Sequence, residues 1–237
     1  MTSTISVEVA DTTMGLYEAR PDGDARGAVV VIQEAFGLTD HIKDICRRFA
    51  AEGYHAVAPH LFHRSGDPII AYDEMEKVYP HVMALNAEDL AADLDAALAY
   101  VGDAGFKPKQ IAVVGFCMGG SVAFWTGERK ALGAVVSFYG GGIAGGRFGI
   151  PALVDMVAQL KTPYLGFFGD LDQTISVDEV ESLRNATRDT KVPTEVVRFP
   201  DAEHGFHCDA RGSYHEASSK AAWQQTLQWL STHLAGR

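Results

Sequence analysis

The stretch Ile111–Gly120, IAVVGFCMGG, decides how the rest of the chain is read. Ile111, Ala112, Val113 and Val114 form an apolar run rich in β-branched residues, which predicts a buried strand. Gly115 allows a sharp turn, Cys117 falls at its apex, and Gly119 and Gly120 let neighbouring backbone pass close by. Residues 121–129 then read as a helix. This is a strand–turn–helix pattern of the form G-x-S-x-G, with Cys in place of Ser. Such a turn strains the backbone of the residue at its apex and points a helix N-terminus at it, where a thiolate or an oxyanion is stabilised. The competing reading of Cys117 is a buried structural cysteine at a strand end.

Upstream, residues 28–33 (AVVVIQ) are a continuous apolar run and predict a strand buried on both faces. Glu34 follows at its carboxyl end, where open α/β sheets place ligands; a solvated loop glutamate is the alternative. Residues 5–10 and 13–19 predict two short strands in a hairpin at one edge. Asp40 is the expected N-cap of a helix running to about Glu52, with Ile42, Ile45, Cys46 and Phe49 on its buried face. Residues 54–58 predict a strand, and 59–71 a loop carrying His60, His63 and Arg64. The HLFHR spacing there matches no zinc motif and no metal is expected. Residues 72–79 predict a short helix interrupted by Pro80, and Asn86 caps a longer one to Val101.

Downstream, residues 133–138 predict a strand. The Gly-rich run 139–149 lacks a phosphate-binding motif and reads as a loop walling a cleft. A short helix (151–160), a strand (162–168), a helix (176–190) and a last strand (194–199) follow. A loop (200–212) holds His204, and a helix (213–234) closes the chain, with Trp223, Leu227 and Leu230 inward. Alternating strands and helices predict an α/β protein with a mainly parallel sheet, one domain over residues 1–237.

Of 237 residues, 47% are hydrophobic and 22% charged, as in ordinary globular proteins. The net charge of −11 argues against nucleic acid or an anionic membrane surface as partner. The three cysteines, Cys46, Cys117 and Cys208, form no even disulfide framework and point to a reducing, cytoplasmic setting. No signal peptide and no membrane span is expected.

Cys117, Asp172 and His204 follow successive late strands, in the nucleophile–acid–histidine order that α/β-hydrolases use. The residue types suit acyl transfer: a thiolate attacks, a histidine moves protons, and a carboxylate orients the histidine. Asp170 competes with Asp172 for the acid position. At QEAFGL (33–38), GFCMGG (115–120), GDLDQTI (169–175) and AEHGF (202–206), the sequence resembles the dienelactone hydrolase, or carboxymethylenebutenolidase, family. The resemblance covers nearly the whole chain. It implies the α/β-hydrolase fold with helices on both faces of the sheet, and hydrolysis of small esters or lactones through a covalent acyl-enzyme. It also implies a Cys117–His204–Asp172 triad, an oxyanion hole from the backbone N–H groups of Ala35 and Met118, and a Glu34 that takes the thiol proton when substrate displaces it. No metal and no organic cofactor are expected, and the chain is expected to be a monomer or small homo-oligomer.

The sequence departs from the family at the two arginines that hold a substrate carboxylate in muconate-lactone enzymes. One matching segment, roughly 73–82, offers Lys77 and His81; the other position, four residues beyond His204, holds Cys208. Arg64, Lys77, His207 and Arg211 are the candidate substitutes, with Phe36, Tyr139 and Phe206 as further substrate-contacting candidates. Neutral substrates are therefore expected to be handled at least as well as anionic ones. A thioesterase or acyl transferase on the same triad, and a non-catalytic binding or redox-sensing protein, are the alternative functions.

Overall fold

The computed structural model describes residues 1–10 and 12–235. Among these, eight strands join in one sheet, and their order positions the site. The strands are β1 (Thr2–Val9), β2 (Thr12–Ala19), β3 (Ala28–Ile32), β4 (His55–Pro59), β5 (Ile111–Phe116), β6 (Ala134–Phe138), β7 (Tyr164–Gly169) and β8 (Thr194–Phe199). They lie side by side as β1-β2-β4-β3-β5-β6-β7-β8. The edge hairpin β1–β2 is antiparallel and pairs antiparallel with β4; every other pairing is parallel. All parallel strands from β3 to β7 are wholly buried, which is why they read as unbroken apolar runs rather than alternating ones.

The helices are α1 (Asp40–Ala51), α2 (Met75–Ala84), α3 (Ala87–Asp103), α4 (Met118–Arg129), α5 (Leu153–Met156), α6 (Val177–Ala186) and α7 (Glu216–His233). On α1, Ile42, Ile45, Cys46 and Phe49 are buried, as their spacing predicts. Asn86 caps α3 by accepting from the Asp89 N–H, and Ser176 and Glu179 form a reciprocal capping box on α6.

Two helix details differ from the expectation. Thr39, not Asp40, is the N-cap of α1, and Asp40 opens the first turn, where its charge still complements the helix dipole. Pro80 sits inside α2 rather than ending it. Both Pro80 and Glu76, whose carbonyl it leaves without a partner, are exposed, so water can satisfy that carbonyl. On α7, the inner face is as expected: Leu230 is buried, and Trp223 and Leu227, partly buried, pack against the core.

Candidate active site

Cys117 follows directly on β5 with φ 55° and ψ −118°, in the left-handed region that costs a residue with a Cβ energy. The flanking glycines make the turn possible. A Cβ on Gly115 would run into the carbonyl of Gly119, and one on Gly119 would lie 2.5 Å from the carbonyl oxygens of both Ile32 and Gln33. The helix starts at Met118, three residues before the sequence expectation, so its N-terminus abuts Cys117 directly. As the first helical residue, Met118 has an N–H with no partner inside α4.

Asp172 lies just beyond β7, and its side chain is buried. Its Oδ1 accepts from the Thr174 N–H at 2.7 Å, the Thr174 hydroxyl at 2.7 Å and the Ile175 N–H at 3.1 Å. That leaves Oδ2 for Nδ1 of His204, at 2.7 Å. Burial works against the charge on Asp172, but the His204 and Thr174 bonds outweigh it and hold the carboxyl below its ordinary pKa. With Nδ1 so committed, the other ring nitrogen of His204 is the one left for Cys117. Burial also opposes ionisation of the Cys117 thiol. The charge of His204 and its hydrogen bond overcome this and pull the thiol pKa down, with Glu34 opposing and Arg147 assisting. His204 moves the opposite way: burial lowers its pKa, but Cys117 and Asp172 raise it more. The arrangement favours a thiolate–imidazolium pair. Asp170, two residues away, is instead held by Arg198 through a two-pronged ion pair, 2.7 Å at each oxygen.

Glu34 follows β3, the neighbour of β5, and is 0% exposed. Gln33 anchors this loop by accepting from the Leu61 N–H at 3.2 Å. Glu34 Oε1 accepts from Nη1 of Arg211 and from the Tyr139 hydroxyl, each at 3.5 Å, while Oε2 has no partner. Tyr139, at φ 41°, ends β6 in a strained backbone and sets its ring 5.0 Å from that of His204. Phe36 and Tyr72 meet edge to face at 4.8 Å, and the Arg211 guanidinium lies over both rings, at 5.5 and 5.6 Å. Tyr72 in turn contacts the Cys208 thiol and the Thr39 hydroxyl, each at 3.3 Å.

The other candidates go elsewhere. Arg64 is tied to buried Asp93 on α3 at 2.8 Å, because a buried carboxylate needs a cation. Lys77 pairs with Glu74 on its own exposed segment. His207 is buried against Phe116, Phe138 and Trp223, with Nδ1 on Ser219, and Phe206 is fully buried behind Tyr139. Among the four substitutes for the missing arginines, Arg211 reaches the site. Sequence reasoning passed over Tyr72, read as the start of a short helix although it lies in the turn before α2, and Arg147, whose place in a Gly-rich loop was its only signal. No group of three or more His, Cys, Asp or Glu among the described residues is placed to hold a metal ion, and no helix among them is long and apolar enough to cross a membrane.

A mainly parallel eight-stranded sheet carrying Cys117 on a strand–turn–helix, with Asp172 and His204 beyond later strands, defines an α/β-hydrolase. The model of the dienelactone hydrolase family matches residues 14–234, and the chain belongs to that family. It is a hydrolase of the carboxylic ester class. A protein of Salmonella typhimurium (strain LT2) named "Putative carboxymethylenebutenolidase" is 37% identical over 225 residues, covering 93% of this chain and 83% of the relative. One of the same name from Escherichia coli (strain K12) is 35% identical over 233 residues, covering 96% and 86%. The crystal structure of a "Putative Dienelactone Hydrolase" from Klebsiella pneumoniae superposes with a TM-score of 0.89 at 34% identity, over 98% of both chains.

Proposed function

We propose that this chain hydrolyses small esters or lactones through a covalent thioester on Cys117. The observation that supports this most is the continuous contact from Asp172 Oδ2 to His204 and on to a Cys117 thiol whose pKa is depressed. The thiolate attacks the substrate carbonyl. The backbone N–H groups of Ala35 and Met118 accept the negative charge that develops on its oxygen, which is worth about 2.7–4 kcal/mol per donor in comparable sites. His204 gives its proton to the departing oxygen; in a lactone that oxygen stays attached as the new hydroxyl end. Water then loses a proton to His204 and attacks the thioester, releasing the carboxylic acid and restoring the thiolate. Asp172 keeps the imidazole in the right tautomer and stabilises its charged form.

Arg211 is the acid-binding group in this reading. Its guanidinium lies over the Phe36 and Tyr72 rings, and its Nη1 meets Glu34 only over a long 3.5 Å contact, which a substrate carboxylate can replace with shorter bonds. Anionic substrates then have an anchor in place of the two family arginines that the sequence lacks. Turnover of an activated ester such as 4-nitrophenyl acetate by the native protein, abolished in Cys117→Ala, is the test. Product analysis with an added alcohol or thiol acceptor separates hydrolysis from acyl transfer.

A further inference from the structure

The Gly-rich loop after β6 carries a second cation, Arg147, on a glycine run that packs against the first turn of α4, the helix that begins beside Cys117. Gly140 and Gly141 pack on the first turn of α4: a Cβ on Gly140 would lie 2.7 Å from the Gly120 carbonyl carbon, and the Ser121 hydroxyl donates to the Gly141 carbonyl at 2.6 Å. Arg147 lies against that run. A Cβ on Gly141 would sit 3.1 Å from its Nη1 and one on Gly142 2.9 Å from its Cγ, so the bare glycine backbone is what lets the side chain lie there. The backbone of Arg147 is pinned by two hydrogen bonds exchanged with Ile150, at 3.0 and 2.8 Å, and its guanidinium covers the Phe148 ring at 5.3 Å. Among the described residues, no carboxylate or other side-chain acceptor takes a hydrogen bond from it. Arg64 and Arg198, by contrast, are held by Asp93 and Asp170 at 2.8 and 2.7 Å, and Arg211 has Glu34 at 3.5 Å. Yet the charge of Arg147 is felt at the Cys117 thiol.

Side-chain contacts set where the two cations stand. Arg211 comes from the loop after β8 and lies against Glu34, Phe36 and Tyr72, whereas Arg147 lies on Gly141 and Gly142, which follow β6. Resting on the hydrolase reading above, we propose that Arg147 is a specificity-determining residue that binds a second anionic group, opposite the one held by Arg211. The preferred substrates are then esters or lactones bearing two negative charges, one on each side of the scissile bond. An exposed guanidinium that lies on bare glycine backbone and one ring, with no side-chain acceptor of its own, is open to the two-pronged bonds of a carboxylate. The net charge of −11 makes such local cations necessary, since the protein as a whole repels these substrates.

The experiment uses four esters: phenyl butyrate (neutral), phenyl hydrogen glutarate (anionic acyl side), 4-carboxyphenyl butyrate (anionic leaving side) and 4-carboxyphenyl hydrogen glutarate (both). Each kcat/KM is divided by that for phenyl butyrate, which cancels any general effect of a variant on the thiol. The expected result is that Arg211→Gln lowers the ratio for one monoanion and Arg147→Gln that for the other, each by about tenfold or more and mainly through KM, with the doubly charged ester losing both. Arg147→Lys should keep part of the preference. If Arg147→Gln leaves all ratios unchanged, or lowers the ratio for the same monoanion as Arg211→Gln, the inference is wrong while the hydrolase reading stands. Failure of the native protein to hydrolyse any of the four overturns both.

Discussion

Arg211 reaches Glu34 Oε1 only at 3.5 Å, although Glu34 is 0% exposed and its Oε2 has no partner. A buried carboxylate held by so long a contact is poised to exchange its cation for a better-fitting anion. Arg211→Gln should therefore do two things. It should reduce kcat/KM for a substrate carrying one carboxylate by about tenfold or more, the worth of a lost charge-assisted bond. It should also lower Tm, because Glu34 is left buried without its cation. Paired steady-state kinetics and thermal unfolding check both effects.

The neighbouring acids Asp170 and Asp172 separate cleanly. Asp172→Asn removes the carboxylate that orients His204, and kcat should fall by up to ~10⁴, the loss seen for the equivalent change in a serine protease. Asp170→Asn breaks a pair with the partly exposed Arg198 and should cost about 1 kcal/mol of stability or less with little change in kcat. A larger kcat loss in Asp170→Asn would reverse the assignment.

How much of this was readable beforehand depended on how local the cause was. Strand β8, the cap Asn86 and the turn around Cys117 follow from residues within a few positions, and their sequence patterns are direct. The place of Pro80 inside α2 was not readable, because solvation of the Glu76 carbonyl depends on which way the helix faces. Arg211 and Arg64 look alike in sequence. They part only when the fold brings Asp93 to one and Glu34, Phe36 and Tyr72 to the other, contacts set by chain separations that no motif encodes. Tyr72 acts through Arg211 and so carries no signature of its own.

Ionisation of Cys117 supplies a pH test. Burial and Glu34 favour the thiol, while His204 favours the thiolate more strongly. Alkylation by iodoacetamide should thus stay fast as pH falls below the ordinary thiol range. In His204→Ala burial and Glu34 face only the weaker pull of Arg147, so the alkylation midpoint should move upward, above that of an ordinary cysteine. A profile unchanged by His204→Ala would contradict the pairing.

His207 supplies a separate pH test, on stability. Burial first, then His41 and Arg48, push its pKa down from 6.5 to about 3, so it is neutral in the folded protein. In the unfolded chain it takes up a proton near its ordinary value. Below that value the unfolded state binds more protons, and folding loses up to about 1.4 kcal/mol per pH unit until the folded pKa is reached. His207→Phe, which keeps a ring against Phe116, Phe138 and Trp223, should flatten the decline in denaturant-measured stability between pH 6.5 and 4. An equally steep decline in the variant would assign the acid sensitivity elsewhere.

The most direct test of the central claim is to trap the acyl-enzyme. The protein is mixed with a slowly deacylating ester, quenched in acid, and analysed by intact mass and peptide mapping. The account predicts one added acyl group, on the peptide containing Cys117, that disappears during a chase as free acid is released. An acyl group on Cys46 or Cys208 with Cys117 free, or undiminished turnover in Cys117→Ala, would contradict it.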